Sequence, residues 1–223
     1  AATVAKGRAH LASVKLRGEN PKVLKNAGDC LLGVTNYLRL AIYSVWGVNI
    51  SIHRLAMCLL YVSGRRCAEI LTGESSFEKG SSMSVIFTGQ LKTRSTMKVS
   101  YEIPLLCSSE LFLNGYAKLR HLQNNVVLDE KAANKKYSTT LAWWTKKLFI
   151  FDNKKGALPK DLRSLYCSSV WQAFNYGDAG LSHTAFLSKV LGHASHHEVS
   201  TYDCIRAEGV ERITDLSLRP LLA

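Results

Sequence analysis

The strongest constraint on the fold is the apolar stretch at residues 28–62. It reads as two segments, DCLLGVTNYLRLAIYSVWGV and SIHRLAMCLLYV, separated near Asn49 and Ser51. Leu31, Leu32, Val34, Leu38, Leu40 and Ile42 are spaced too densely for an exposed helix, so the pair is expected to be helical and to carry core. Arg, Asn and His interrupt the apolar runs well before they reach the length needed to cross a bilayer.

Residues 82–106 follow a different period. Met97, Val99, Tyr101 and Ile103 alternate with Lys98, Ser100 and Glu102, the pattern of a half-buried strand. With SVIF ahead of a turn at Gly89, this predicts a β-hairpin, the one β element expected. Helical patterning then returns in SSELFLNGYAKLRHL, YSTTLAWWTKKLFIF, DLRSLYCSSVWQAF and LSHTAFLSKVLGH, the last with Ser182 as N-cap. Trp143 and Trp144 are expected in packing rather than as base-stacking platforms. The expected fold class is therefore mainly α with a small β-hairpin or sheet (α+β). No internal repeat or linker divides the chain. It reads as a basic lead-in with helical tendency (1–27), a core (28–206) and a tail (207–223).

Charge narrows the partner. Twenty-nine Lys and Arg against 17 Asp and Glu leave a formal +12, which favours a polyanion, nucleic acid above all. Lys135, Lys136, Lys146, Lys147, Lys154 and Lys155 lie between residues 131 and 160 and read as a track for phosphates. No basic amphipathic tract favours a membrane surface. The six cysteines form no C-x-x-C pair, and several lie in apolar runs. That pattern suits reduced, buried thiols and a cytoplasmic location.

Four short motifs carry chemistry. SGRRCAEI (63–70) enters a helix after a Ser-Gly turn, where an Arg forks onto phosphate oxygens and Glu69 braces Arg66 from the same face. GQLKTRS places Lys92 at the hairpin tip, with Arg94 and Lys98 competing for the role of general acid. KDLRSLY (160–166) puts Lys160 and Arg163 on one helical face, an arrangement that an intervening anion relieves. LGHASHHEVSTYD (191–203) has two readings. His193, His196 and His197 at i, i+3 and i+4 would form part of a metal site, yet no Cys lies within a few residues on the N-terminal side and the pattern is not H-E-x-x-H. Alternatively His193 alone serves the site and Tyr202 supplies a nucleophile.

In order, the motifs read R-x-x-E, hairpin Lys, K-x-x-R, L-G-H and Tyr. Cations and a histidine around one tyrosine are what metal-free phosphoryl transfer requires. This ordered set resembles the catalytic domain of the tyrosine recombinases, which share their chemistry with type IB topoisomerases. The resemblance spans about residues 30 to 206. Lys160 as first residue of its box, Tyr166 after Arg163, paired arginines in SGRR, and FTGQLKTRS are similar to the telomere resolvases, or protelomerases.

The resemblance implies Tyr202 as nucleophile with Arg66, Lys92, Lys160, Arg163 and His193 as catalytic residues. Arg66 rather than Arg65 takes the catalytic place because it stands three before Glu69. Glu69 and Tyr166 are support. Arg65, Arg94, Lys98, Lys135, Lys136, Lys146 and Lys147 are expected to contact DNA. It further implies a homodimer on palindromic double-stranded DNA, a 3′-phosphotyrosyl intermediate and hairpin-closed ends, without metal or other cofactor, in a bacterial cell or phage-infected host. The N-terminal DNA-clamping domain of the family is expected to lie outside the chain. The competing expectations are strand exchange between duplexes, a non-catalytic DNA-binding module and, for the histidine cluster, a zinc-dependent hydrolase.

Overall fold

The computed structural model describes residues 21–44, 49–90, 100–192, 202, 204–215 and 220. The elements run β1 (Lys22–Leu24), α1 (Ala27–Tyr43), α2 (Ile52–Ser63), α3 (Cys67–Leu71), β2 (Ser76–Lys79), β3 (Ser84–Thr88), β4 (Tyr101–Pro104), α4 (Ser109–Leu122), α5 (Glu130–Leu148), α6 (Asp161–Ala173), α7 (His183–Leu191) and β5 (Ile205–Ala207). This is the mainly helical α+β class expected, with more strand than the hairpin alone.

Helix α2 is the axis of the molecule. Every residue from Leu55 to Ser63 is buried, and α1, α3, α4, α5 and α6 all pack against it. A helix apolar on every side belongs in the middle of a bundle rather than at its edge. Its ends are set locally: the Ser51 hydroxyl accepts the Arg54 amide at 3.3 Å, and Gly64 closes it in the left-handed conformation at φ 62°. Helices α4, α5 and α7 start on Ser108, Asp129 and Ser182, each accepting an amide three residues on. Helix α6 follows Pro159, and the Asp161 carboxylate accepts the Leu158 amide at 2.9 Å.

Helix α1 departs from expectation on one face. Val34, Leu38 and Ala41 are buried, but Leu32 is 58% exposed and Leu40 49%. With α2 taking the centre, α1 covers only one side of it, so part of its apolar surface stays in solvent. Helix α5 begins at Glu130, seven residues before the apolar pattern at Tyr137 becomes legible. Trp144 packs partly under the surface, but Trp143 is 53% exposed, with the Lys147 ammonium 4.9 Å from its ring centroid.

The hairpin forms strands β3 and β4 of a three-stranded antiparallel sheet in the order β2-β3-β4, with Phe77 opposite Phe87 and Phe87 opposite Tyr101. Residues 91–99, including Lys92, Arg94 and Lys98, lie outside the described residues. A second, unforeseen sheet pairs β1 with β5 in parallel, Lys22 opposite Ile205 and Leu24 opposite Ala207. Residues 22–24 are thus strand, not helix. On its other side β5 is held by α6, where Ser168 Oγ accepts the Ala207 amide at 3.0 Å. The chain immediately after Tyr202 is therefore anchored twice. The tail is also engaged: the Ile213 amide donates to Ala173 O at 2.7 Å, and the Tyr176 hydroxyl to Pro220 O at 3.0 Å. Among the described residues no helix is long and apolar enough to cross a membrane.

Candidate active site

The site forms where the α2–α3 turn, the first turn of α6, the end of α7 and the segment just before β5 converge. Its centre is Glu69, fully buried on α3. One carboxylate oxygen accepts the Arg66 amide at 2.8 Å and the other the Arg66 Nη1 at 2.9 Å. Arg163 Nη1 lies 3.9 Å from the same carboxylate. Burial works against a charged carboxylate here. Arg65, Arg163, the Arg66 amide and the Arg66 guanidinium outweigh it, and hold the Glu69 pKa below its ordinary value.

Arg163 reaches in from α6 and is 5% exposed. Its Nη1 donates to Gly64 O at 2.8 Å and its Nη2 to Leu191 O at 3.0 Å, while its Nε is buried without a partner among the described residues. Desolvation and the neighbouring Arg65 lower its pKa, against the opposing pull of Tyr202 and Glu69. The guanidinium carbon stands 5.7 Å from the centroid of the Tyr202 ring. Tyr202 is half-buried and also lines a cleft of about 310 Å³ with Trp171, His183, Leu187 and Arg206.

The structure therefore brings Arg66, Glu69, Arg163 and Tyr202 together from segments up to 136 positions apart in sequence. Arg66 keeps a side-chain exposure of 22%. Lys160 is exposed at the N-cap of α6, at the mouth of an apolar groove of about 470 Å³ walled by Cys67, Leu71, Leu141 and Leu158. It shares the helix end with Arg163 but not its burial. Tyr166 is wholly buried. Its ring packs against Gly64, and its hydroxyl donates to Pro104 O at 2.6 Å, so it supports the turn from beneath.

The reading of Arg65 as a DNA contact is corrected. It is 2% exposed, and its guanidinium is engaged by Ser63 O, the Tyr101 hydroxyl and Val190 O inside the protein. Lys135, Lys136, Lys146 and Lys147 are exposed on α5 as a DNA track requires. His193, His196 and His197 lie outside the described residues, as do Lys92, Arg94 and Lys98. Among the described residues no group of His, Cys, Asp and Glu is arranged to hold a metal. Two site neighbours escaped the sequence reading. Tyr101 was legible only as an inward strand residue, and Gln90 only as part of the stretch around Lys92.

The family model for the telomere resolvase ResT/TelK catalytic domain matches residues 35–203, three quarters of the chain. The chain belongs to the telomere resolvase family. Enzymes of this family cleave and rejoin DNA, and the matched segment contains Arg66, Glu69, Lys160, Arg163, His193 and Tyr202. Solved structures agree in fold. A variant of protelomerase TelA complexed with a DNA hairpin product superposes with TM-score 0.80 at 19% identity, over 93% of this chain and 67% of that one. TelA covalently complexed with substrate DNA gives 0.80 at 20% identity, over the same shares. Protelomerase TelK complexed with substrate DNA gives 0.74 at 21%, over 95% of this chain and 42% of that one. The telomere resolvase domain described here thus spans about two thirds of TelA and less than half of TelK. Among curated proteins none matches.

Proposed function

We propose that this domain opens and reseals DNA at a replicated telomere junction through a phosphotyrosyl intermediate and leaves hairpin-closed ends. The observation that carries the proposal is the placement of the Tyr202 ring against Arg163, with Arg163 and Arg66 sharing the buried carboxylate of Glu69. A phosphate seated between the two guanidinium groups meets the tyrosine hydroxyl from one side. Attack by the Tyr202 oxygen forms a P–O bond and breaks the bond to the 5′-oxygen, leaving a 3′-phosphotyrosine and a free 5′-hydroxyl. The arginines stabilise the negative charge that grows on the oxygens of the pentacoordinate phosphate. By resemblance to the family, Lys160 and His193 serve the same phosphate, and Lys92 is the general acid that protonates the departing oxygen.

The covalent link conserves the energy of the broken bond, so resealing proceeds without ATP. Attack by the 5′-hydroxyl of the opposite strand returns Tyr202 and closes the end. Two protomers on a palindromic duplex, each cutting one strand, account for both ends.

The test uses a labelled inverted-repeat duplex, made by joining the replicon's terminal sequence to its own complement and nicked near the centre. It is incubated with protein in excess chelator and resolved on a denaturing gel. A protein-linked band absent from Tyr202→Phe, together with snap-back hairpins, supports the proposal. Recombinant duplexes without hairpins would instead identify a strand-exchange enzyme. Turnover abolished by the chelator would return the histidine cluster to a metal role.

A further inference from the structure

The fold uses the two arginines of SGRR in opposite ways. Arg66 pairs with Glu69 and keeps its side chain partly exposed. Arg65 is turned inward, and each nitrogen of its guanidinium has its own protein partner: Nε donates to Ser63 O at 3.2 Å, Nη1 to the Tyr101 hydroxyl at 2.6 Å and Nη2 to Val190 O at 2.7 Å. The Phe87 ring lies 4.9 Å from its guanidinium carbon. These partners belong to three separate parts of the chain: the α2–α3 turn, the β3–β4 pair and the last turn of α7.

The end of α7 is the common point. The final carbonyls of a helix lack intrahelical donors and sit at the negative end of its dipole. Here they are taken one after another: Val190 by Arg65, Leu191 by Arg163 at 3.0 Å, and Gly192 by the Gln90 amide at 2.7 Å. Gly192 has φ 65°, and a Cβ there would run into Gln90 Oε1 and the Tyr101 hydroxyl. The strands and the helix end therefore meet without room for a side chain. Such contact leaves little freedom in how the α7 terminus sits relative to Arg66 and Arg163.

We infer that Arg65 is a positioning residue for phosphoryl transfer, clamping the end of α7 and strand β4 to the turn that carries Arg66, with Tyr101 and Gln90 completing the clamp. The inference rests on the reading of this pocket as the phosphoryl-transfer site. Arg65 meets no reacting atom; it acts by fixing where the α7 carbonyls, and through them Arg163, stand. A lysine cannot replace it, because a single ammonium does not span the three directions of the planar guanidinium.

The experiment uses the full chain and the same nicked inverted-repeat duplex, under single-turnover conditions at a temperature where every variant is folded. Tyr101→Phe keeps the ring on Phe87 and removes only the hydroxyl that receives Arg65. Misplacing catalytic groups by about an ångström costs roughly a hundredfold in rate. The rate of covalent adduct formation at saturating DNA is expected to fall about tenfold in Tyr101→Phe and about a hundredfold in Arg65→Lys. The DNA concentration giving half-saturation should stay within about twofold of wild type, since Arg65 is buried and the Tyr101 hydroxyl is bonded to it. Wild-type rates in both variants would overturn the inference. So would a loss that appears equally in DNA affinity, the mark of a general structural role. If wild type itself forms no adduct, the reading of the pocket fails and this inference with it.

Discussion

The Arg163 guanidinium lies against the ring of Tyr202 while its two Nη atoms hold the carbonyls of Gly64 and Leu191. One side chain therefore sets the distance between the proposed nucleophile, the turn bearing Arg66 and the end of α7. Its charge is only part of that function; the planar fork is the rest. Arg163→Lys keeps the charge and loses the fork, and should slow formation of the tyrosyl adduct at saturating DNA by about a hundredfold or more. Affinity for DNA should change far less, because lysine keeps the positive charge that meets the phosphate. A quenched time course on a denaturing gel reads the first quantity and fluorescence anisotropy the second.

Glu69 is the charge that three arginines share, and its role is separable by pH. Glu69→Gln retains the shape but leaves buried cations without their counter-charge, a change that costs about 3–5 kcal/mol in comparable buried pairs. Urea unfolding at neutral pH should show a loss of this order. The folded-state pKa of Glu69 lies below its ordinary value of 4.5. Its charge thus contributes full stability above pH 4.5, and the contribution is lost as pH falls through the depressed folded value. The gap between wild type and Glu69→Gln should accordingly be flat near neutrality and close only in strong acid. A gap that closed between pH 8 and 6 would contradict this arrangement.

Gly64, like Gly192, is a position in the site where a methyl group cannot be added. Its φ of 62° disfavours any L side chain, and a Cβ there would overlap the ring of Tyr166. Tyr166 has no room to retreat, being wholly buried with its hydroxyl on Pro104 O. The left-handed backbone costs about 1–2 kcal/mol and overpacking about 1–3 more. Gly64→Ala should therefore destabilise the domain by about 2–5 kcal/mol, measurable by denaturant titration. Gly33→Ala, with nothing within 4 Å of the added carbon, is the control and should be neutral or slightly stabilising.

What could be read from the sequence follows from whether the determining contacts are local. Ser51, Ser108 and Ser182 cap helices through amides three residues away, and α2, α4, α6 and α7 were legible within a few residues. The start of α5 was not, because Ala132 and Ala133 among lysines show no apolar stripe; the cap at Asp129 was the available signal. The β1–β5 pair joins three-residue strands 183 positions apart at Lys22 and Ile205, and no pattern that short identifies its partner. In β2 only Phe77 turns inward, too little to show alternation. Within the site, the three-residue spacing selected Arg66 as the partner of Glu69, and the ion pair at 2.9 Å has that form. The inward turn of Arg65 depends on Tyr101 and Val190, which sequence spacing does not connect to it.

The exposed lysines of α5 make the remaining prediction quantitative. Lys136, Thr140, Trp143 and Lys147 succeed one another at helical spacing, so the two lysines and the exposed indole share one face, with Lys135 and Lys146 on the adjoining one. Lys146 and Lys147 also lie in the last turn, where the helix dipole favours positive charge, so their presence alone does not establish a DNA contact. Salt dependence separates the two roles. Each phosphate neutralised on duplex DNA adds about 0.9 to the slope of log affinity against log salt. If all four lysines meet phosphates, replacing them with glutamine should reduce that slope by about 3 to 4. Affinity would then fall steeply at low salt and converge on wild type at high salt. A variant with an unchanged slope would assign these lysines to solvent and move the DNA track to another face of the domain. Trp143→Ala, measured alongside, should leave the slope unaltered, because an indole displaces no counterion.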